Sequence, residues 1–263
     1  MKLSIIIPAY NEADRIVRTI ESSFDYLARQ AYESEIIVVS DGSTDNTKSV
    51  VENRCQSGRP VTLSVVEYHP NRGKGYAVKT GMLEGRGDII MFMDADYSVP
   101  VDALETGVKM LSFGYDVAIA SRTLSGSVIH HHQNVYRELS ARLYTWIQNR
   151  YLGIRYGDTQ CGFKLFTRQA AHALFQRQKL SSVIFDPEIL WLAKKEGFSV
   201  AEFPVEWTHI EDSRIQYDSL GKSLFVFREL FRIRTLHKSG HLPEGARISS
   251  ASGGSHRRPP LKP

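Results

Sequence analysis

The first hundred residues alternate between short apolar runs and longer segments with the periodicity of amphipathic helices. The apolar runs cover residues 3–7, 35–40, 61–67 and 89–93. The last run, Ile-Ile-Met-Phe-Met, contains no polar residue, which is typical of a strand that is buried on both faces. Strands that alternate with helices at this spacing predict an α/β fold, with a mostly parallel central sheet and helices on both of its faces.

A polar motif follows each of these predicted strands. The motifs are Pro8-Ala9-Tyr10-Asn11-Glu12, Asp41-Gly42-Ser43, Arg72-Gly73-Lys74-Gly75 and Asp94-Ala95-Asp96. Right-handed crossovers place the carboxyl ends of parallel strands along one edge, so we expect the four motifs to line one crevice. Carboxylates, a Gly-rich loop with a lysine, and an acidic pair together indicate a nucleotide-diphosphate site. Taken singly, each motif is also compatible with an ordinary turn or helix start.

The aspartates at positions 94 and 96 are the strongest candidates for a metal site. Residues i and i+2 of an extended chain point the same way, so both carboxylates can converge on one divalent cation. The alternative is a solvated turn before an acidic helix start at residues 98–100. The buried strand in front of Asp94 and the neighbouring motifs favour the metal site.

The net charge of +4 belongs to the C-terminal tail. Residues 238–263 hold five basic residues and one acidic residue, which accounts for the whole excess. The rest of the chain is neutral, which argues against a nucleic-acid groove, because such a groove needs Lys and Arg clustered on the fold. Residues 237–263 are rich in Ser, Gly and Pro and are predicted to be disordered. Either a weak contact with anionic lipid or a purely solubilising role would fit this tail.

Length and cysteine content indicate a cytoplasmic protein with an ample core. A chain of 263 residues is long enough for one large α/β domain or two small ones. Cys55 and Cys161 lie far apart and lack a metal-ligand spacing, as expected in a reducing compartment. No run approaches the ~20 apolar residues of a membrane span, and a strand pattern begins at Leu3 without the features of a signal peptide.

At the four motifs, residues 1–235 resemble the family 2 glycosyltransferases, which have the GT-A fold. The resemblance implies that residues of the polar motifs bind a nucleotide sugar. Pro8, Tyr10, Glu12 and Asp41 would contact its nucleoside, and Lys74 would contact its base or phosphates. It also implies that Asp94 contacts the ribose or a metal, and that Asp96 binds the Mg²⁺ or Mn²⁺ ion that bridges the diphosphate. Such a metal-bound acid stabilises the leaving group electrostatically.

The second half resembles the branch of this family that transfers a sugar to a polyprenyl phosphate. Residues 158–166, Asp-Thr-Gln-Cys-Gly-Phe-Lys-Leu-Phe, are especially similar to dolichyl-phosphate glucosyltransferases. This resemblance implies inverting transfer of a hexose, most simply glucose from UDP-glucose. Transfer of mannose from GDP-mannose and a soluble sugar or glycan acceptor are alternatives. A non-catalytic sugar-nucleotide-binding protein is a more remote one.

A lipid phosphate is a charged nucleophile, so the acceptor site needs cations that position it more than a base that activates it. The resemblance assigns Arg122, Arg137 and Ser140 to the acceptor phosphate, although Arg122 is also typical of an exposed strand end. Arg214 matches a basic position in a loop that covers the diphosphate, although Asp212 stands where that loop usually has glycine. The domain is expected to divide into a donor half, residues 1–120, and an acceptor half, residues 121–236.

The sugar and the lipid have their own candidate residues. Asp158, Gln160, Asp186 and Glu188 are candidates for hydrogen bonds to sugar hydroxyls, and Asp186 is alternatively the N-cap of a helix at 188–196. Trp207 either faces the acceptor or packs in the core. The segments 134–152 and 220–236 combine aromatic residues with Arg and Lys, which predicts peripheral contact with a membrane surface, although their apolar residues also fit a core.

Overall fold

The computed structural model describes residues 1–55, 61–130, 135–210 and 220–238. Strands run through β1 Lys2–Ala9, β2 Glu33–Asp41, β3 Val61–Tyr68, β4 Ile89–Met93, β5 Val117–Ser121, β6 Val128–His130, β7 Phe163–Thr167, β8 Val200–Pro204 and β9 Glu206–Thr208. Helices run through α1 Ile16–Leu27, α2 Thr47–Glu52, α3 Lys74–Glu84, α4 Ala103–Ser112, α5 Val135–Leu152, α6 Arg168–Arg177, α7 Phe185–Glu196 and α8 Leu220–Leu236.

Seven of these strands form one sheet in the order β3-β2-β1-β4-β7-β5-β8. All neighbours pair in parallel except β7, which runs antiparallel between β4 and β5. The chain moves outward from β1 to β3 and then returns to place β4 on the other side of β1. Such a reversal opens a crevice at the carboxyl ends of β1 and β4, where ligands of α/β sheets bind. A separate two-stranded sheet pairs β6 with β9.

The sheet separates two hydrophobic cores. In β1, Ile5 and Ile7 point into the core that also contains Ile16 and Leu104 from α1 and α4. Ile6 points into the opposite core, against α3, α6 and α7. This alternation is the period of two that a strand imposes on its side chains. Every residue of β4 is buried, so the strand that precedes Asp94 is anchored on both faces.

The predicted α/β class, the four early strands and the parallel arrangement around them are confirmed. The expected end of the first strand at Pro8 is wrong, because β1 continues to Ala9. The ladder with β4 ends at Ile6, so the missing N–H of Pro8 falls where pairing continues with β2 alone. The antiparallel strand β7 and helix α6 were not predicted as elements.

Several expectations concern parts of the chain outside the described residues. Arg214 and residues 239–263 are among them, and for Arg137 the structure gives the backbone in α5 but no side-chain placement. Each helix in the described part of the chain is too short or too polar to span a lipid bilayer.

Candidate active site

The end of β2 is tied to the loop that begins α3. Asp41 is buried, and its two carboxylate oxygens accept hydrogen bonds from the backbone N–H groups of Arg72 and Gly73, at 2.8 and 2.9 Å. Gly42 has a φ of 69°, and a Cβ there would lie 2.5 Å from the backbone nitrogen of Asn71. Glycine is therefore required for this close approach. Asp41 therefore positions the loop that leads to Lys74. The backbone N–H groups of this loop donate the hydrogen bonds that water would otherwise donate to the Asp41 carboxylate.

The ends of β1 and β2 are joined through Asn11. This residue adopts a left-handed backbone with φ 54°, its Oδ1 accepts from the backbone N–H of Thr44 at 2.8 Å, and its own N–H donates to Ser43 Oγ at 3.1 Å. Glu12 is buried and accepts two 2.8 Å hydrogen bonds from the guanidinium of Arg15. Tyr10, in contrast, is 41% exposed. In the predicted nucleoside motif, Asn11 and Glu12 are therefore held by hydrogen bonds, whereas the ring of Tyr10 is exposed.

Lys74 and Asp94 form the central ion pair of the site. Lys74 Nζ lies 2.6 Å from Asp94 Oδ1. Burial by itself lowers the pKa of Lys74, but the carboxylates of Asp94, Asp186 and Asp96 outweigh it, so the pKa stands above its ordinary value. Lys74 therefore stays charged at neutral pH.

Asp94 is fixed from its other side by Gly162. The Asp94 backbone N–H donates to the Gly162 carbonyl at 3.0 Å, and a Cβ on Gly162 would lie 2.0 Å from Asp94 Oδ2. The carboxylate therefore rests against a position where only glycine leaves room. The sequence showed Gly162 within its nine-residue motif, but the contact with Asp94 depends on pairing between β4 and β7, which are distant in sequence.

Asp96 lies at the same edge. Its Oδ1 accepts from the backbone N–H of Ser98 at 3.0 Å, which fixes the turn after β4. Burial and the nearby charge of Asp94 raise the pKa of Asp96 above its ordinary value, although Ser98 and Lys74 oppose the shift. Two close carboxylates that repel each other gain from a shared cation, and oxygen is the ligand that Mg²⁺ and Mn²⁺ prefer.

The donor set fits a metal that is shared with a bound molecule. Within the described ranges no group of three or more His, Cys, Asp or Glu side chains is arranged around a metal position. Asp94 and Asp96 therefore supply at most two side-chain ligands, and further oxygens must come from water or a ligand. A diphosphate offers such oxygens.

Across the site, Arg122 and Asp158 form a bidentate pair. Arg122 Nε and Nη2 lie 2.6 and 3.0 Å from the Asp158 carboxylate oxygens, and the Arg122 backbone N–H donates to Oδ2 at 3.1 Å. The guanidinium lies 5.2 Å from the ring centroid of Trp207. Burial raises the pKa of Asp158, but Arg122 more than offsets it, so the pKa lies below its usual range. Asp158 uses only some of the five N–H groups of the Arg122 guanidinium, so the others can donate to another anion.

Lys164 and Asp186 form a further ion pair, which is buried. Lys164 is 1% exposed, and its Nζ lies 2.5 Å from Asp186 Oδ1 and 2.6 Å from the Cys161 carbonyl. Burial raises the pKa of Asp186, although Lys164 and Lys74 oppose the shift. Sequence reasoning assigned no role to Lys164. A lone lysine between the apolar residues Phe163 and Leu165 was the available signal, because a buried lysine needs a partner.

The alternative interpretation of Asp186 as an N-cap is wrong. Helix α7 begins at Phe185, its N-cap is Ile184, and Asp186 lies inside the first turn with its carboxylate on Lys164. The predicted helix start at 188 is corrected accordingly. Arg122, which was open to two interpretations, binds Asp158 and lies over the ring of Trp207. The Trp207 ring is partly buried and also packs against the core, so it combines both of its predicted interpretations only in part: core packing and proximity to Arg122.

The remaining predicted residues occupy different surroundings. Glu188 is fully buried, and its oxygens accept from the backbone N–H groups of Lys179 and Leu180 and contact His237 Nε2. These contacts favour a structural role over contact with a sugar. Gln160 donates its backbone N–H to Asp158, and its Nε2 is buried without a hydrogen-bond partner among the described residues. Ser140 is exposed on α5.

The Arg122–Asp158 pair generates a pH-dependent stability. We expect Asp158→Asn to lower the free energy of unfolding by roughly 2 kcal/mol at pH 7, because it removes the charge that Arg122 binds. The folded pKa of Asp158 is depressed, so its contribution is complete above the ordinary carboxyl pKa of about 3.9 and is lost as pH falls through the folded value. Urea unfolding of both proteins between neutral and acidic pH measures this. A difference that stays constant with pH would contradict the assignment.

Comparison with known proteins places this geometry in a family. The model of Glycosyl transferase family 2 matches residues 4–175. The chain is 33% identical over 247 residues to a dolichyl-phosphate beta-glucosyltransferase, ALG5A, of Trichomonas vaginalis, which covers 90% of this chain and 74% of that protein. It is 34% identical over 248 residues to the dolichyl-phosphate beta-glucosyltransferase of Homo sapiens, covering 86% and 75%.

A solved structure gives the same fold. The glucosyl-3-phosphoglycerate synthase of Mycobacterium tuberculosis, in complex with Mn²⁺ and UDP-glucose, superposes with a TM-score of 0.61 at 20% identity, covering 91% of this chain and 81% of that one. The predicted GT-A fold is confirmed. The family resemblance inferred from the motifs is also confirmed: the chain is a glycosyltransferase that belongs to glycosyl transferase family 2.

Proposed function

We propose that this protein transfers glucose from UDP-glucose to a polyprenyl phosphate of the dolichyl type, with inversion at the anomeric carbon. The similarity to dolichyl-phosphate beta-glucosyltransferases over most of the chain supports this activity. We further propose that the enzyme acts as a peripheral protein at the cytoplasmic face of a membrane, because its acceptor is a lipid. UDP-glucose as donor is in keeping with the ligand of the superposed synthase.

One observation carries the proposal. The segment 158–162 contacts both halves of the crevice: Asp158 binds Arg122 and Gly162 binds the backbone of Asp94. The charge of Asp94 also contributes to the electrostatic environment of Arg122. A donor that reaches Asp94 and an acceptor phosphate that reaches Arg122 would therefore meet above this segment, which is where a transferred sugar has to lie.

In the donor half, Pro8, Tyr10, Glu12 and Asp41 shape the nucleoside site. Tyr10 offers an exposed ring for the base, and Asp41 acts by holding the loop before Lys74. Asp94 and Asp96 would hold Mg²⁺ or Mn²⁺ together with the diphosphate. Bound there, the ion supplies Lewis-acid stabilisation of the charge on the leaving diphosphate. Lys74, charged at neutral pH, adds a second cation for the same oxygens.

In the acceptor half, Arg122, Arg137 and Ser140 would position the lipid phosphate, with Trp207 beside Arg122. A phosphate oxygen attacks the anomeric carbon as the bond from that carbon to the diphosphate breaks, and UDP leaves with the electron pair. The nucleophile is already an anion, so no proton has to be removed. Asp158 binds Arg122, Gln160 donates its backbone N–H to Asp158, and Asp186 binds Lys164. We assign these three residues to the sugar pocket or its support.

The assay for this function is release of UDP from UDP-glucose with Mn²⁺, in the presence and absence of polyprenyl phosphate. We expect turnover that depends on the lipid. Asp96→Ala should lower it by about 100-fold, because an electrostatic ligand of the leaving group is lost. Asp102→Ala is the matched control, since Asp102 is an exposed carboxylate six residues further along the chain and makes no side-chain cap.

Several results would contradict this proposal. Equal release of UDP without lipid phosphate would mean hydrolysis, with water as the acceptor, and would remove the lipid from the reaction. Turnover that requires a soluble sugar in place of the lipid would assign a soluble acceptor, and turnover with GDP-mannose alone would assign a mannosyltransferase. Binding of UDP-glucose without turnover under any acceptor would indicate a non-catalytic protein. Unchanged activity of Asp96→Ala would remove Asp96 from the mechanism.

Gly162 gives a second prediction for the donor site. Gly162→Ala places a Cβ against the Asp94 carboxylate, so we expect a rise of about tenfold or more in the KM for UDP-glucose, as for an overpacking cost of 1–3 kcal/mol. Gly81→Ala is the control, because its Cβ would lie 2.1 Å from Ile6 Cγ2 in the core and should lower stability instead. If both variants lost stability and kept the KM, Gly162 would have no role in positioning Asp94.

A further inference from the structure

Helices α5 and α8 pack side by side through aromatic residues. The rings of Tyr151 and Phe231 meet edge to face with centroids 4.8 Å apart, and Tyr151 Oη donates to the Phe231 carbonyl at 2.9 Å. Tyr144 and Phe227 form a similar contact at 5.8 Å. Leu152, Leu230 and Ile233 lie in the core below. The two helices therefore pack as one unit, and the side of this unit that faces the protein is buried in the core.

The outer side of this face carries large apolar side chains that the described residues leave exposed. Trp146 is 65% exposed and Leu224 is 72% exposed, and Leu143 and Phe231 are exposed as well. Isolated exposed apolar residues are ordinary on a soluble protein, but a group of them on two packed helices indicates a docking surface.

Arginines accompany these apolar residues. A cavity of about 370 Å³ between the helices is lined by Trp146, Ile147, Arg150, Tyr151 and Arg234. The guanidinium of Arg234 lies 4.8 Å from the ring centroid of Tyr151. Within the described part of the chain, neither Arg150 nor Arg234 has a carboxylate partner. The nearest acidic residue along α8, Glu229, is buried and already bound to Arg232 and Ser182. The cavity is therefore cationic.

We propose that this α5–α8 cavity binds the phosphate of an anionic phospholipid and docks the enzyme on a bilayer surface. Two guanidinium groups suit phosphate oxygens, while Trp and Tyr rings prefer the layer between lipid headgroups and acyl chains. The exposed leucines and Phe231 enter the apolar side of the same layer. The positive charge of the face complements anionic lipid. The choice of a bilayer over a protein surface rests on the proposed function, in which the substrate is a lipid.

The cavity is distinct from the predicted acceptor site. Arg150 and Arg137 are 13 positions apart on α5, which corresponds to roughly 20 Å along a helix. The two ends of α5 would thus serve different lipids: a phospholipid at the cavity and the polyprenyl phosphate near Ser140. Docking through the cavity orients the acceptor end of the same helix toward the bilayer.

The test is sedimentation of the full chain with vesicles, without donor or acceptor. We expect much tighter binding to equimolar phosphatidylcholine and phosphatidylserine than to phosphatidylcholine alone. Arg150→Ala/Arg234→Ala should weaken binding to the anionic vesicles roughly 30-fold, because each arginine near an anionic surface contributes about a factor of five. Trp146→Ala should weaken binding further. The control is Arg29→Ala/Lys109→Ala, which removes the same charge from two exposed positions, one after α1 and one on α4. These helices cover the face of the sheet opposite to α5 and α8.

Circular dichroism and UDP release with a short, water-soluble polyprenyl phosphate establish that the variants are folded and active. Equal loss of vesicle binding in the control would overturn the site, since net charge alone would then explain it. Wild-type self-association that the double arginine variant abolishes, without vesicle binding, would overturn it in favour of a protein interface. Vesicle binding by a protein that never turns over polyprenyl phosphate would support this docking site while removing the proposed function. Turnover of polyprenyl phosphate without vesicle binding would support the proposed function and overturn this docking site.

Discussion

The 2.6 Å contact between Lys74 and Asp94 holds the candidate site together. A continuous series of contacts passes through it from one side of the crevice to the other. Asp41 binds the loop before Lys74, Lys74 binds Asp94, Asp94 binds Gly162, and the same segment binds Arg122 through Asp158. Each link joins residues that are far apart in sequence. The parallel sheet makes this possible, because it places the ends of β1, β2 and β4 at one edge.

The charged groups of the site are arranged in pairs, and this pairing serves position more than stability. A buried pair such as Lys164 and Asp186 gains little net free energy, because desolvation of both charges offsets their attraction. It does fix the antiparallel strand β7 against helix α7, next to β4, the strand that precedes Asp94. In the same way Arg122 is held flat against Asp158 near Trp207. Cations that are held in place before a phosphate arrives need no reorganisation during transfer.

The sequence predicted what depends on local pattern. The run before Asp94 identified a strand buried on both faces, and the spacing of Asp94 and Asp96 identified an acidic pair at its end. It did not predict which partner neutralises each charge, because that depends on contacts between distant segments. Asp41 was assigned to a nucleoside, yet its carboxylate also holds a loop 31 residues away. Lys164 was missed because its partner Asp186 lies on another element.

A structure of the protein with UDP-glucose and Mn²⁺ tests the central claim most directly. We expect the ion to lie within about 2.0–2.4 Å of oxygens from Asp94, Asp96 and the diphosphate. Lys74 should then contact the diphosphate, and the glucose should lie over the 158–162 segment toward Arg122. A nucleotide bound away from this edge, or an ion held without either aspartate, would contradict the account.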